Sequence, residues 1–146
     1  MSRSGYSDDY DYEQWQGIMW RGAVASAFRG KRGQAFLREM LAALDALPEK
    51  RLISRELVAG SDPNFIGPVR ADEVCALGAV GKARGLDMTG IDPEDHDTVA
   101  GKFDVAHAMA CEIMFENDEA GGYWKEETPE DRFSRMRRWI AGQIRP

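Results

Sequence analysis

Long apolar runs are missing from this chain. No stretch approaches the roughly 20 residues that span a bilayer. The N-terminus is polar and acidic with no apolar h-region, so neither a membrane helix nor a secretory signal is expected. Cysteine is scarce, with two in 146 residues. Two cysteines without a secretory signal fit free thiols in a reducing, cytoplasmic setting. Basic charge is in deficit: 19 Lys and Arg face 25 Asp and Glu, a formal net charge of -6. That balance argues against a general nucleic-acid coat, whose affinity comes from neutralising phosphates with Lys and Arg.

What is present is an ordinary globular balance, 43% apolar and 30% charged. At this length one domain is expected, able to bury roughly two thirds of its unfolded surface without a metal or disulfide. The charge is unevenly spread. Residues 21–56 hold eight basic and four acidic side chains, whereas residues 57–100 hold three basic and eight acidic. The basic quarter reads first as solvated side chains on helix faces. Its sharpest feature is the turn Arg29-Gly30-Lys31-Arg32-Gly33, where Arg29, Lys31 and Arg32 are candidate phosphate contacts.

Hydrophobic periodicity predicts a mainly α protein. Residues 1–10 read as a flexible tail and residues 11–146 as a compact single domain of five to seven short helices. From about Tyr12, Trp15, Met19 and Ala23 recur at four-residue spacing, as do Trp20, Val24 and Phe28, which predicts a largely buried helix. A second helix runs from about Gln34 to Leu47 and stops at Pro48, which lacks a donor and restricts the residue before it. Arg51–Val58 suits a helical turn or a strand, and pairing with Phe65–Arg70 would make a small β-hairpin near residues 51–70. Ala71–Leu86 reads as a helix ending at Gly85. Asp92-Pro93-Glu94-Asp95 and Thr128-Pro129-Glu130-Asp131 are helix starts, each with a capping side chain, a proline and first-turn acids. The first leads through Phe103 to a break near Asp104 or Val105, beyond which another helix reaches about Asn117. The last helix turns Phe133, Met136, Ile140 and Ile144 inward and Arg132, Arg135, Arg137 and Arg138 outward.

Chemistry-bearing patterns are sparse. Gly78-Ala79-Val80-Gly81-Lys82 lacks the four-residue spacer and following hydroxyl of a phosphate loop. Asp104, His107 and Cys111 would share one face of a continuous helix and are acceptable zinc ligands, with Cys75 or His96 as a fourth. The apolar company of Cys111 favours a buried thiol instead, so no metal and no cofactor is assigned. Cys75 falls early in a helix, where the dipole lowers a thiol pKa, but neither histidine is placed beside it and a core role is favoured. Glu112, Glu116 and Glu119 follow helical spacing into a glycine-containing loop and read as a solvated helix end. No catalytic residues emerge, and a non-enzyme is expected. Residues 92–117 have the spacing of a helix-turn-helix, yet the second helix offers no basic face to a DNA groove. Tyr123-Trp124, in an acidic loop, is a candidate exposed contact.

Several stretches read together resemble a known family. They are Met1-Ser2-Arg3-Ser4-Gly5-Tyr6-Ser7-Asp8-Asp9, Trp20-Arg21-Gly22-Ala23-Val24-Ala25-Ser26-Ala27, Arg29-Gly30-Lys31-Arg32-Gly33-Gln34, Leu47-Pro48-Glu49-Lys50-Arg51-Leu52-Ile53, Val74-Cys75-Ala76-Leu77-Gly78-Ala79, Asn117-Asp118-Glu119 and Glu127-Thr128-Pro129-Glu130. The chain is similar in these to an uncharacterised family of small acidic proteins encoded by tailed phages and prophages of proteobacteria. Residues 59–70 look like an insertion relative to that pattern. The family has no assigned enzyme activity, so no site residues carry over. The resemblance implies a phage gene, an accessory role and the bacterial host cytoplasm. The expected function is a non-enzymatic protein-binding module that modulates a host complex, with an anti-CRISPR or other anti-defence inhibitor as its sharpest form. The expected partner is a host protein or a nucleic-acid-binding defence complex, since acidic patches suit channels lined with Lys and Arg. Asp92, Glu94, Asp95, Asp97, Glu112, Glu116, Asp118, Glu119, Tyr123 and Trp124 are the candidate partner contacts. The alternative is a small nucleic-acid-binding regulator that uses the unit at 92–117.

Overall fold

Phe36, Leu37, Met40 and Leu44 repeat at helical spacing and are all buried. The helix they define, α2 (Lys31–Ala46), ends where Leu47 and Pro48 leave helical geometry, and Lys50 Nζ donates to the carbonyls of Asp45 and Leu47 there. The computed structural model describes residues 14–61, 72–121 and 126–146. Among these the order is α1 (Gln14–Arg29), α2, α3 (Ala76–Arg84), α4 (His96–Phe103), α5 (His107–Glu119) and α6 (Pro129–Gln143). The protein is mainly α, a compact single domain with six helices among the described residues. α2 packs against α1, α3 and α6, and α5 packs against α1, α3, α4 and α6. The core between them holds Leu37, Met40, Leu44, Leu77, Val80, Phe103, Met109, Ile113, Met136 and Ile140. No helix is long and apolar enough to cross a membrane among the described residues.

Several local expectations shift. The tail at 1–10 lies outside the described residues, and so does Phe65–Arg70, the second arm of the expected hairpin. Its first arm forms no strand. Arg51–Val58 runs irregularly through the interior and pairs with residues 73–75 instead: Ile53 N donates to Val74 O, Cys75 N to Leu57 O, and Val58 and Val74 form one antiparallel bridge. Among the described residues α1 is covered on one side. Phe28 is buried, but Ile18 and Met19 are 52% and 58% exposed. α2 and α5 take one face of α1, and Ile18 and Met19 lie off that face. α4 begins at His96, not at Pro93. Asp95 accepts from the Thr98 amide at 3.2 Å and from its hydroxyl at 2.7 Å, and this double cap outcompetes Asp92, whose side chain closes a turn of its own on Glu94. The C-terminal start is as expected, with Thr128 capping Asp131 at 3.1 Å and proline in the first turn. Arg132, however, is buried rather than outward. Its Nη1 donates to Leu52 O at 3.0 Å, a carbonyl that the irregular segment leaves inside.

Two glycines fix how closely the elements meet. A Cβ on Gly78 would run into the Leu57 carbonyl, and one on Gly33 into the Ala27 carbonyl. Backbone therefore seats directly on backbone at α3 and at the α1–α2 corner. Gly101, in α4, faces open space. Gly78→Ala should cost about 2–3 kcal/mol in urea unfolding, the scale of overpacking where backbone cannot yield. Gly101→Ala should instead gain about 0.5–1 kcal/mol from helix propensity. Equal effects of the two would contradict the described packing.

Candidate functional site

The acidic segment is built by turn chemistry. Asp87 accepts from Thr89 N at 3.0 Å, Asp92 from Glu94 N at 2.9 Å, and Asp95 caps α4. The Thr89 amide and hydroxyl hold the Asp87 carboxyl below its ordinary range, and the Thr98 hydroxyl and amide do the same for Asp95. Asp87, Asp92, Glu94, Asp95 and Asp97 are all exposed. None of the five is ion-paired to a Lys or Arg among the described residues.

The second group of candidate contacts does not join them. Glu112 is buried, at 5% exposure. Glu116 is half-buried, 3.6 Å from Arg135 Nη1. Asp118 is half-buried, and its Oδ1 accepts from Arg55 N at 3.0 Å and Asn117 Nδ2 at 2.8 Å. Only Glu119 of the α5 acids is fully exposed, and it stands about 18 Å along the helix from His107 at the rise of 1.5 Å per residue. α5 is the central helix, so Glu112, Glu116 and Asp118 turn into its neighbours instead of forming a solvated end. Tyr123 and Trp124 lie outside the described residues.

The basic quarter is largely committed to internal partners. Arg32 donates to the Asp104 carbonyl at 2.8 Å and to its carboxylate at 3.1 Å. Arg38 holds Arg145 O at 2.6 Å, and Arg51 meets both Glu73 and Glu130. Lys31 is exposed at the start of α2. Arg29 joins Arg21 and Arg145 around a cleft of about 590 Å³ between α1, α5 and α6, floored by Trp20, Phe28 and Trp139. The Phe28 and Trp139 rings meet edge to face at 5.7 Å. Neither the stripe nor the charge count points to this cleft, because it depends on how α1 crosses two helices distant in sequence.

A compact cluster of donor atoms closes the turn between α4 and α5. His96 opens α4, while His107 opens α5 with Cys111 one turn on. Asp97 Oδ1 lies 2.8 Å from His107 Nδ1, and His107 Nε2 lies 3.4 Å from Cys111 Sγ. The His96 and His107 rings stand 6.0 Å apart at 73°. Asp104 is not part of the cluster. The helix breaks there, with Asp104 in the left-handed region at φ 55°, so the continuous face that would align Asp104 with His107 and Cys111 does not exist. Cys75 is elsewhere too. It caps α3, with Sγ accepting from Gly78 N at 3.3 Å, and burial pushes its thiol up to about 12, the opposite of an activated nucleophile. Burial also pushes Cys111 up to about 12, with Asp97 and Glu112 adding to the effect.

Comparison with protein families, with curated proteins and with solved structures finds no match to this chain.

Burial raises the Asp118 carboxyl above the ordinary carboxylate value, against the hydrogen bonds from Arg55 and Asn117. Below the ordinary value both folded and unfolded forms are protonated and nothing is lost. As pH rises past it, the unfolded chain ionises first, so stability falls until the folded group has ionised too. Asp118→Asn keeps the accepting oxygen and removes this loss. Its melting temperature relative to the parent should be most favourable at pH 7, and the advantage should shrink as pH falls towards about 4, the ordinary Asp range. A difference independent of pH would refute the assignment.

Proposed function

We propose that this protein is a non-enzymatic binding module whose acidic segment at residues 87–97 docks on a basic surface of a larger partner. The observation that carries the reading is the set of five exposed carboxylates on one short segment, none within ion-pair distance of a Lys or Arg among the described residues, with Lys102 acting on Asp87 from further away. Three of them are held by backbone amides of their own turns, which fixes the segment without consuming its charge. Such a preorganised negative surface steers encounter with a Lys- and Arg-lined partner and sets the register of docking. The resemblance to small acidic phage proteins supplies the setting: a host complex, with a nucleic-acid-binding defence assembly as the sharpest case. Anti-CRISPR or other anti-defence inhibition by stoichiometric covering of a basic channel is the form this reading takes.

The nucleic-acid alternative finds less support. A recognition helix needs an exposed, donor-rich face. In α5, Ala108, Met109, Ala110, Cys111, Glu112, Ile113, Met114 and Asn117 are buried, and the helix carries no Lys or Arg.

The test uses substitutions that remove charge and keep hydrogen-bond acceptors: Asp87→Asn, Asp92→Asn, Glu94→Gln and Asp95→Asn together. Affinity capture from host lysate, with the recovered partner identified and then titrated in purified form, should show binding that weakens with salt and falls at least about tenfold in the quadruple variant. Unchanged affinity of the variant for that partner, or binding insensitive to salt, would count decisively against the proposal.

A further inference from the structure

We infer that His96, His107 and Cys111 form a binding site for a divalent transition metal of the zinc class. The inference stands apart from the docking reading, and either can hold without the other. Each of the three side chains offers one donor atom, and the donors lie within 4.8 Å of one another. Zinc bonds of about 2.0–2.1 Å to nitrogen and about 2.3 Å to sulfur, at a tetrahedral angle, set those two atoms about 3.5 Å apart. His107 Nε2 and Cys111 Sγ stand at 3.4 Å. His96 brings the third donor, within 4.8 Å of the other two.

The second observation is independent of that spacing. His96 is 7% exposed, and its Nε2 is buried without a hydrogen-bond partner among the described residues. A buried imidazole nitrogen left unpartnered is destabilising by roughly 1–3 kcal/mol, so an orphan of this kind calls for an occupant. A metal beside the other two donors supplies one.

The surroundings also suit a metal. Asp97 receives the Nδ1 proton of His107, which leaves the Nε2 lone pair directed at Cys111. A carboxylate behind a ligating histidine fixes its tautomer and raises its basicity. Two imidazoles and one thiolate select zinc or cobalt(II) over magnesium and calcium, which take oxygen donors. Binding converts the Cys111 thiol to a thiolate and releases its proton to solvent. Three protein ligands leave one position of the tetrahedron for water or for a donor from another molecule. Bound there, the metal would join the first residue of α4 to the first turns of α5 across the break at residues 104–106.

Cobalt(II) chloride alone is the probe, titrated into the chelator-stripped full chain and read by absorbance. The expected result is one equivalent bound, with a thiolate-to-cobalt charge-transfer band and intense four-coordinate ligand-field bands that zinc bleaches. Cys111→Ser should abolish the charge-transfer band, whereas Cys75→Ser should leave it. Asp97→Asn should weaken binding about 10–100-fold, the usual effect of removing a carboxylate behind a ligating histidine. His107 is half-exposed, so His107→Gln keeps the fold, checked by circular dichroism, while losing the site. The inference is overturned if folded wild-type protein gives no thiolate band. It is overturned equally if His107→Gln leaves affinity and spectrum unchanged, which would take His107 out of the cobalt site.

Discussion

The side-chain amide of Asn117 is the contact on which the irregular part of the fold depends. It is 1% exposed, accepts from Ala76 N, and donates to Ile53 O and to the Asp118 carboxylate. Between α2 and α3 the chain crosses the interior without regular structure, with Leu52 and Leu57 fully buried. Buried backbone must find partners, and no ladder provides them here. Asn117 serves Ile53 O, Arg132 serves Leu52 O, Pro129 O receives Leu52 N, Asp118 receives Arg55 N, and the 73–75 stretch pairs with Ile53 N, Leu57 O and Ala59 N. A polar cluster on α5 and α6 thus replaces the sheet edge that such a segment would otherwise need. Arg135 ties the same two helices together through Glu127 and the carbonyls of Glu116 and Asn117.

This arrangement explains which parts of the fold the sequence discloses. α2 and α6 are legible because one face is apolar at helical spacing and the ends carry proline or a Thr-Pro cap. Their burial follows directly from the stripe. The segment at 51–58 is not legible, because its stability resides in donors placed 60 to 80 residues away. Arg132 belongs to the same class. Helical spacing alone puts it outward, but an inward carbonyl claims it. The start of α4 turns on a competition between two aspartates of similar capping power, decided by the hydroxyl of Thr98.

The candidate sites divide in the same way. The exposed acids at 87–97 are visible in composition, since charge in a loop stays in water. The acids of α5 are not, because their exposure depends on α5 being the central helix. The cluster of His96, His107 and Cys111 needs the break at Asp104. A continuous helix would separate His96 from His107 by about 16 Å at 1.5 Å per residue, whereas the reversal brings their rings to 6.0 Å. Asp97 belongs to both the acidic segment and the cluster. Its carboxylate is therefore shared between the surface and the histidine that it orients.

The side chain of Gln34 has a consequence for how the chain is made. Its amide donates to Phe28 O and Gln143 O, and its oxygen accepts from Arg145 N. Together with the packing of α2 on α6, this joins residues more than 100 positions apart. Contacts of that separation form late in synthesis, since the second partner must first be translated. Until α6 leaves the ribosome, the nascent chain presents the stripe of Phe36, Leu37, Met40 and Leu44 partly uncovered.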